Sequence, residues 1–142
     1  ERSLSDKYWL NISDPDFSFG GVIEHTNLVP KRRYGTHLVY LFSYVPAEHE
    51  IYNLSDKALF ERYYADLKRI FPSIKKNDIR KYHVNRATHA NPVFETPFLP
   101  KMPKQETPVS GLYLLDMTQI YPQDRNVSHS IALAKEFVEE NL

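Results

Sequence analysis

Apolar and polar positions alternate or cluster in several stretches of the chain, and each predicts an element. Tyr8-Trp9-Leu10-Asn11-Ile12 is rich in aromatic and β-branched residues and predicts a strand. A turn follows at Ser13-Asp14-Pro15-Asp16, where Pro fixes its own φ and Asp bonds the local backbone. After Gly20-Gly21 a second strand is expected from Val22 to Asn27, with Val22, Glu24 and Thr26 on one side and Ile23, His25 and Asn27 on the other. Pro30 to Gly35 reads as a basic loop. His37 to Tyr44 is almost continuously apolar, the pattern of a strand buried on both faces.

Periodicity then changes from two to about three and a half. Leu59, Tyr63, Leu67 and Ile70 form one apolar stripe between Ser55, a suitable N-cap, and Pro72, which stops the run. Asp78 to Arg86 is compatible with a strand. Asn91 to Pro108 carries five prolines in eighteen residues and is expected to be mostly extended loop. Leu112-Tyr113-Leu114-Leu115, introduced by Gly111, predicts a short buried strand. A last helix is expected from Asn126 towards Leu142, with Ile131, Ala134 and Val138 on its packed face. Strands, helix, strands and helix in this order predict a mixed α+β fold, as a single domain over residues 1–142.

Composition narrows the function. Lys plus Arg and Asp plus Glu both number 18, so the net charge is zero, which argues against nucleic acid or an acidic membrane surface as partner. With no cysteine, thiol chemistry, disulfides and cysteine-ligated metals are excluded. No apolar run approaches a membrane span, and the start, Glu1-Arg2-Ser3-Leu4, has neither an initiator Met nor a signal-peptide core. An excised piece of a cytoplasmic protein is the simplest expectation. Three N-x-S tripeptides, at Asn11, Asn53 and Asn126, add little without a secretory leader.

Chemistry-bearing patterns are few. The six histidines lie at 25, 37, 49, 83, 89 and 129, none in metal-ligand spacing with a carboxylate, so no metal is expected. There is no G-x-S-x-G elbow, no phosphate-binding loop and no G-x-G-x-x-G turn. Glu24-His25 is the notable polar pair within a strand. Adjacent strand residues face opposite ways, so one of them faces a substrate or both serve in a cross-strand ion pair or hydrogen bond. Tyr40, Tyr44, Tyr63 and Tyr64 are candidates for walling an apolar cavity, with core packing as the alternative. At Gly111–Ala134 a strand, a polar loop and a helix start with small residues form a ligand-binding type of turn, because helix N-termini present free N–H groups.

The stretch Gly111-Leu112-Tyr113-Leu114-Leu115-Asp116-Met117-Thr118-Gln119-Ile120-Tyr121-Pro122-Gln123-Asp124-Arg125-Asn126 resembles the C-terminal FAD motif of the amine oxidase and protoporphyrinogen oxidase-like flavoproteins. Tyr8–Ile12 and Gly21–Asn27 are similar to substrate-domain strands of that group, so the resemblance runs along the whole chain. It implies a substrate domain folded on a mixed β-sheet with flanking helices, an N-terminal FAD-binding domain as the missing partner, an unidentified small-molecule substrate, and FAD as cofactor. Asp116 and Met117 would lie by the ribityl chain, and Asn126, Val127 and Ser128 by the flavin ring, where a positive helix end stabilises reduced flavin. Glu24, His25, Asn27 and Tyr40 become the substrate-lining candidates. The family often has Gly-Asp where this chain has Asp116-Met117. That form, with the Ile-Glu-His strand, also resembles UDP-galactopyranose mutases, which use FAD without net oxidation. A non-catalytic binding module is the third reading.

Overall fold

The computed structural model describes residues 3–141; Glu1, Arg2 and the expected helix end at Leu142 lie outside the described residues. The fold is α+β, and its backbone divides into two compact units, the first ending at Thr88 and the second beginning at His89.

Unit 1 is built on a three-stranded sheet in the order β1 (Trp9–Asn11), β2 (Gly21–Glu24), β3 (Val39–Phe42). Both pairings are antiparallel, so the sheet is not the mixed one expected. The β1–β2 connection, residues 12–20, is too short for the crossover that a parallel pair needs. Register places Leu10, Val22 and Leu41 side by side. These point inward, with Val22 and Phe19 buried beside Leu67 and Ile74.

The same register sends Trp9, Ile23 and Tyr40, and then Asn11, Gly21 and Phe42, to the opposite face. That face is open: Trp9 is 47% and Tyr40 48% exposed. The expectation that His37–Tyr44 is buried on both faces is therefore corrected. Its aromatics stand on the outer side, where nothing in unit 1 covers them.

The second strand is also shorter than expected. It ends at Glu24, and His25–Asn27 turns into a 3-10 helix. Strand alternation no longer applies beyond Glu24, and the three-residue period of the turn returns Asn27 to the side of Glu24.

Helix α1 (Glu50–Asn53) leads into α2 (Asp56–Ile70). Ser55 caps α2 as anticipated, its Oγ accepting the Ala58 N–H at 3.2 Å. Leu59 and Leu67 of the predicted stripe are buried, and Tyr63 packs edge-on to Phe19 with centroids 5.4 Å apart. Tyr63 and Tyr64 thus belong to the core side, and they do not share a wall with Tyr40 and Tyr44.

The β1–β2 connection is pinned to α2. Asp14 Oδ1 accepts the Asp16 N–H within the expected turn at 2.9 Å. Asp66 Oδ2 then accepts the Ser18 N–H at 2.8 Å, and Arg69 lies 3.9 Å over the Phe17 ring.

Asp78–Arg86 is no strand: it leaves the 3-10 turn Lys76–Asp78 as irregular chain, and its side chains anchor it to the helices. Arg86 donates to the carbonyls of Tyr52 and Leu54 at 3.0 and 2.7 Å and pairs with Asp56 at 2.6 Å, while Tyr82 stacks on Phe60 at 4.2 Å.

Unit 2 opens with the proline-rich loop, irregular as expected apart from a 3-10 turn at Leu99–Lys101. Leu112–Leu115 does not form a buried strand. One bridge joins Tyr113 to Glu106, and all four side chains are exposed. A 3-10 turn at Met117–Ile120 precedes α3 (Val127–Asn141). Helix α3 buries Phe137, which packs on Tyr113 at 4.8 Å. The face predicted to be packed points outward instead, with Ile131 64% and Val138 51% exposed.

Candidate functional site

In unit 1 the four substrate-lining candidates separate into two groups. Glu24 is 2% exposed and faces the segment before β1. Its carboxylate accepts the N–H groups of Leu4 and Ser5 at 3.0 Å each and the Ser3 hydroxyl at 2.6 Å, with His37 Nδ1 3.6 Å away. Asn27 reinforces the same clasp, donating through Nδ2 to the carbonyls of Ser5 and Lys7 at 2.8 and 2.9 Å. These two residues hold the N-terminal segment, and their polar atoms are occupied in doing so. The hydrogen bonds of Glu24 therefore run to the segment before β1 and not across the strands.

His25 and Tyr40 face the other way. Their rings meet edge to face at 5.9 Å, and His25 Nε2 lies 2.8 Å from the Tyr34 hydroxyl. Two further aromatics, absent from the sequence-derived candidates, complete this surface. Trp9 and Phe42 lie on the flanking strands with centroids 5.4 Å apart. They meet across β2 because Gly21 has no side chain: a Cβ there would fall 2.5 Å from the Phe42 ring. The Trp9 indole N–H donates to Asn11 Oδ1 at 2.7 Å, which fixes the orientation of its ring. The signal was present in the sequence as alternation about a central glycine, Trp-x-Asn against Gly-x-Ile against Tyr-x-Phe.

A cleft of about 480 Å³ opens elsewhere in unit 1, between the Ile12–Gly20 connection, Ser43–Val45 and His49–Ile51. Its charged lining is largely engaged, since Arg62 pairs with Glu50 at 2.6 Å and Asp14 closes its own turn. Glu24, His25, Asn27 and Tyr40 take no part in it.

In unit 2 the flavin-contact candidates gather at one turn and the helix start beyond it. Asp116 caps the 3-10 turn, accepting the Thr118 N–H at 2.8 Å, while its own N–H donates to Gln119 Oε1 at 2.8 Å. The hydrogen bonds from Thr118, with Arg125 nearby, hold the Asp116 carboxyl below the usual aspartate range. The Met117 sulfur accepts the Ser130 hydroxyl, which ties the turn to α3.

Asn126 caps α3 by accepting the His129 N–H at 2.9 Å. His129 Nδ1 lies 2.6 Å from the Asp124 carbonyl and 3.0 Å from Asn126 Nδ2, which ties the ring to the helix start. The geometry of any helix leaves the N–H groups of its first residues, here Val127 and Ser128, without an intrahelical acceptor. Both residues are exposed. Thr118 Oγ1 is buried without a hydrogen-bond partner among the described residues.

Among the described residues no group of three or more His, Cys, Asp or Glu is disposed to hold a metal ion, and no helix is long and apolar enough to cross a membrane. No family model, curated protein or solved structure matches the chain.

Proposed function

We propose that this chain is the substrate-side and C-terminal part of an FAD-dependent oxidoreductase of the amine oxidase type, working with a dinucleotide-binding half that it does not contain. One observation carries the reading beyond sequence resemblance: α3 is apolar on both sides. Leu133 and Phe137 face unit 2, while Val127, Ile131, Ala134 and Val138 form a second stripe that faces outward. One apolar stripe is what an amphipathic helix needs to pack on its own unit, so the second is left exposed, and Leu112–Leu115 adds four exposed apolar residues to the same unit. Exposed apolar groups in this number support a face that a partner covers. The resemblance supplies the cover, namely the flavin-binding half.

In this reading the exposed start of α3 offers the N–H groups of Val127 and Ser128, with the positive helix end, to the flavin ring. Asp116 and Met117 hold the preceding turn against the helix and present it to the ribityl chain. FAD, when bound, supplies the hydride chemistry, and the protein supplies orientation and electrostatics.

The test is flavin retention by the protein carrying both halves. It should purify with stoichiometric FAD, and Ser128→Glu should lower flavin content or redox potential, because a carboxylate at the ring opposes the charge of reduced flavin. Unchanged flavin content and potential in the variant would remove α3 from the flavin site. Tight FAD binding by the 142-residue chain alone, with Kd below about 1 μM, would overturn the two-half reading.

A further inference from the structure

We propose that the free edge of β3 pairs antiparallel with β3 of a second copy of this chain, in one register, so that two three-stranded sheets become one.

Which edge groups are free follows from the hydrogen-bond alternation of antiparallel strands. The Gly20 N–H donates to the Phe42 carbonyl at 2.8 Å, and the His25 N–H to the Leu38 carbonyl at 2.9 Å. Leu38, Tyr40 and Phe42 therefore turn their backbone groups towards β2. Val39 and Leu41 turn theirs the other way, where no strand follows β3 in the sheet. Among the described residues no hydrogen bond engages these groups.

The register of the pairing is then fixed. Two such edges satisfy each other when Val39 of one copy faces Leu41 of the other, and the reverse. This sets the two copies of Tyr40 side by side on a twofold axis. The side chains agree with it. Val39 and Leu41 are half-buried against the core that holds Val22, so their meeting continues the inner face. A slip by one residue would set inward side chains against outward ones.

The sequence favours β3 over β1, the other edge strand. Backbone groups of Trp9 and Asn11 are free as well, because Tyr8 and Ile12 bond to β2. However, exposed Asp6 and Lys7 lead into β1, and charge beside an edge discourages pairing. From Leu38 to Tyr44 there is no charge, proline or glycine. Val39, Tyr40 and Phe42 are among the best strand formers. With zero net charge, copies meet without long-range repulsion.

This pairing lies wholly in unit 1 and needs no flavin contact, so its test and the flavin test fail independently. Sedimentation of the 142-residue chain should show mass rising with concentration from one copy to two. It should rise no further, because a twofold pairing closes on itself. Tyr40→Lys opposes like charges across the axis and should weaken association at least about tenfold. Tyr40 is half-exposed, so the dilute variant should keep the parent's melting temperature.

The chain has no cysteine, so a single introduced thiol reports the register. Facing positions on the axis lie about 4.5 Å apart between Cα atoms, within disulfide reach. Under mild oxidation Tyr40→Cys should form a covalent dimer about tenfold faster than Tyr44→Cys, whose Cα atoms lie beyond that reach. Tyr44 is the more exposed of the two, so accessibility alone predicts the opposite order. If Tyr40→Lys does not fold, the two cysteine variants decide. One-copy mass at every concentration would overturn the proposal, as would growth beyond two copies. So would unchanged association in Tyr40→Lys, or equal crosslinking of the two cysteine variants.

Discussion

Helices α2 and α3 are each fifteen residues long, each is capped from its N-cap residue to the N–H of the third helical residue, and each carries an apolar stripe at three- and four-residue spacing. Their fates differ. The stripe of α2 meets Phe19, Val22 and Ile74 and is buried, while the stripe read from α3 faces outward and a second set, led by Phe137, does the packing. Periodicity states that a face is apolar, and a partner decides whether it is buried. In unit 1 the sheet is that partner. Among its described residues unit 2 has no sheet, and the apolar segment before α3 is exposed as well.

The sharpest way to break this comparison is truncation in the core of unit 1. Leu67→Ala should cost about 2–5 kcal/mol, the range for a buried leucine whose surroundings cannot collapse. Urea denaturation followed through Trp9 measures it. A loss below about 1 kcal/mol would mean that α2 is no better anchored than α3.

Next in size is the clasp on the N-terminal segment. Glu24→Ala strands three donors, at Ser3, Leu4 and Ser5, and should cost about 1–3 kcal/mol. Amide exchange at Leu4 and Ser5 should rise in the variant. His25→Ala, whose ring sits among half-exposed aromatics, should cost less and leave those amides protected.

Acid separates the two units in the same way. Burial pushes the Asp66 carboxyl up, but the Ser18 N–H and the Arg69 guanidinium outweigh it and hold it below the usual aspartate range. Its contribution is therefore complete above the ordinary aspartate pKa of about 3.9 and is lost as pH falls through the lower folded value. Asp66 bridges positions forty-eight residues apart, so its protonation loosens the β1–β2 connection from α2. Asp116 is lowered as well, but through Thr118, two residues away. Asp66→Asn should cost about 1 kcal/mol near neutral pH and flatten the acid limb of the stability curve. A variant as acid-sensitive as the parent would show that another group controls that limb.

Where a single stretch of chain carries its own instruction, it was legible in the sequence. The Ser55 cap, the α2 stripe, the Asp14 turn and the irregular proline-rich loop all depend on neighbours within a few residues. Features that depend on distant partners were not. Glu24 ends its strand because a 3-10 turn puts Asn27 beside it, and both are claimed by residues some twenty positions earlier. Leu112–Leu115 has strand composition but no strand beside it. The site reading shared this limit: Glu24 and Asn27 were chosen for their polarity, which the fold consumes, while Trp9 and Phe42 gain their position from a glycine on another strand.

The smallest effect tests the outward stripe of α3 most directly. Ile131→Ser and Val138→Ser replace exposed apolar groups with polar ones at positions that touch little in unit 2. In the 142-residue chain each should shift stability by about 0.5 kcal/mol, the usual range for surface substitutions, since both positions are more than half exposed. Ser, Ile and Val have nearly equal helix propensity, so propensity adds little. In the protein with both halves the same substitutions would sit against the flavin-binding half, where loss of a buried isoleucine costs about 2–5 kcal/mol. Flavin content and melting temperature should then fall together. A variant neutral in the chain and harmful in the two-half protein is the signature of a face made for a partner. Equal, small effects in both settings would leave the stripe as ordinary surface and withdraw the main physical support for the flavoenzyme reading.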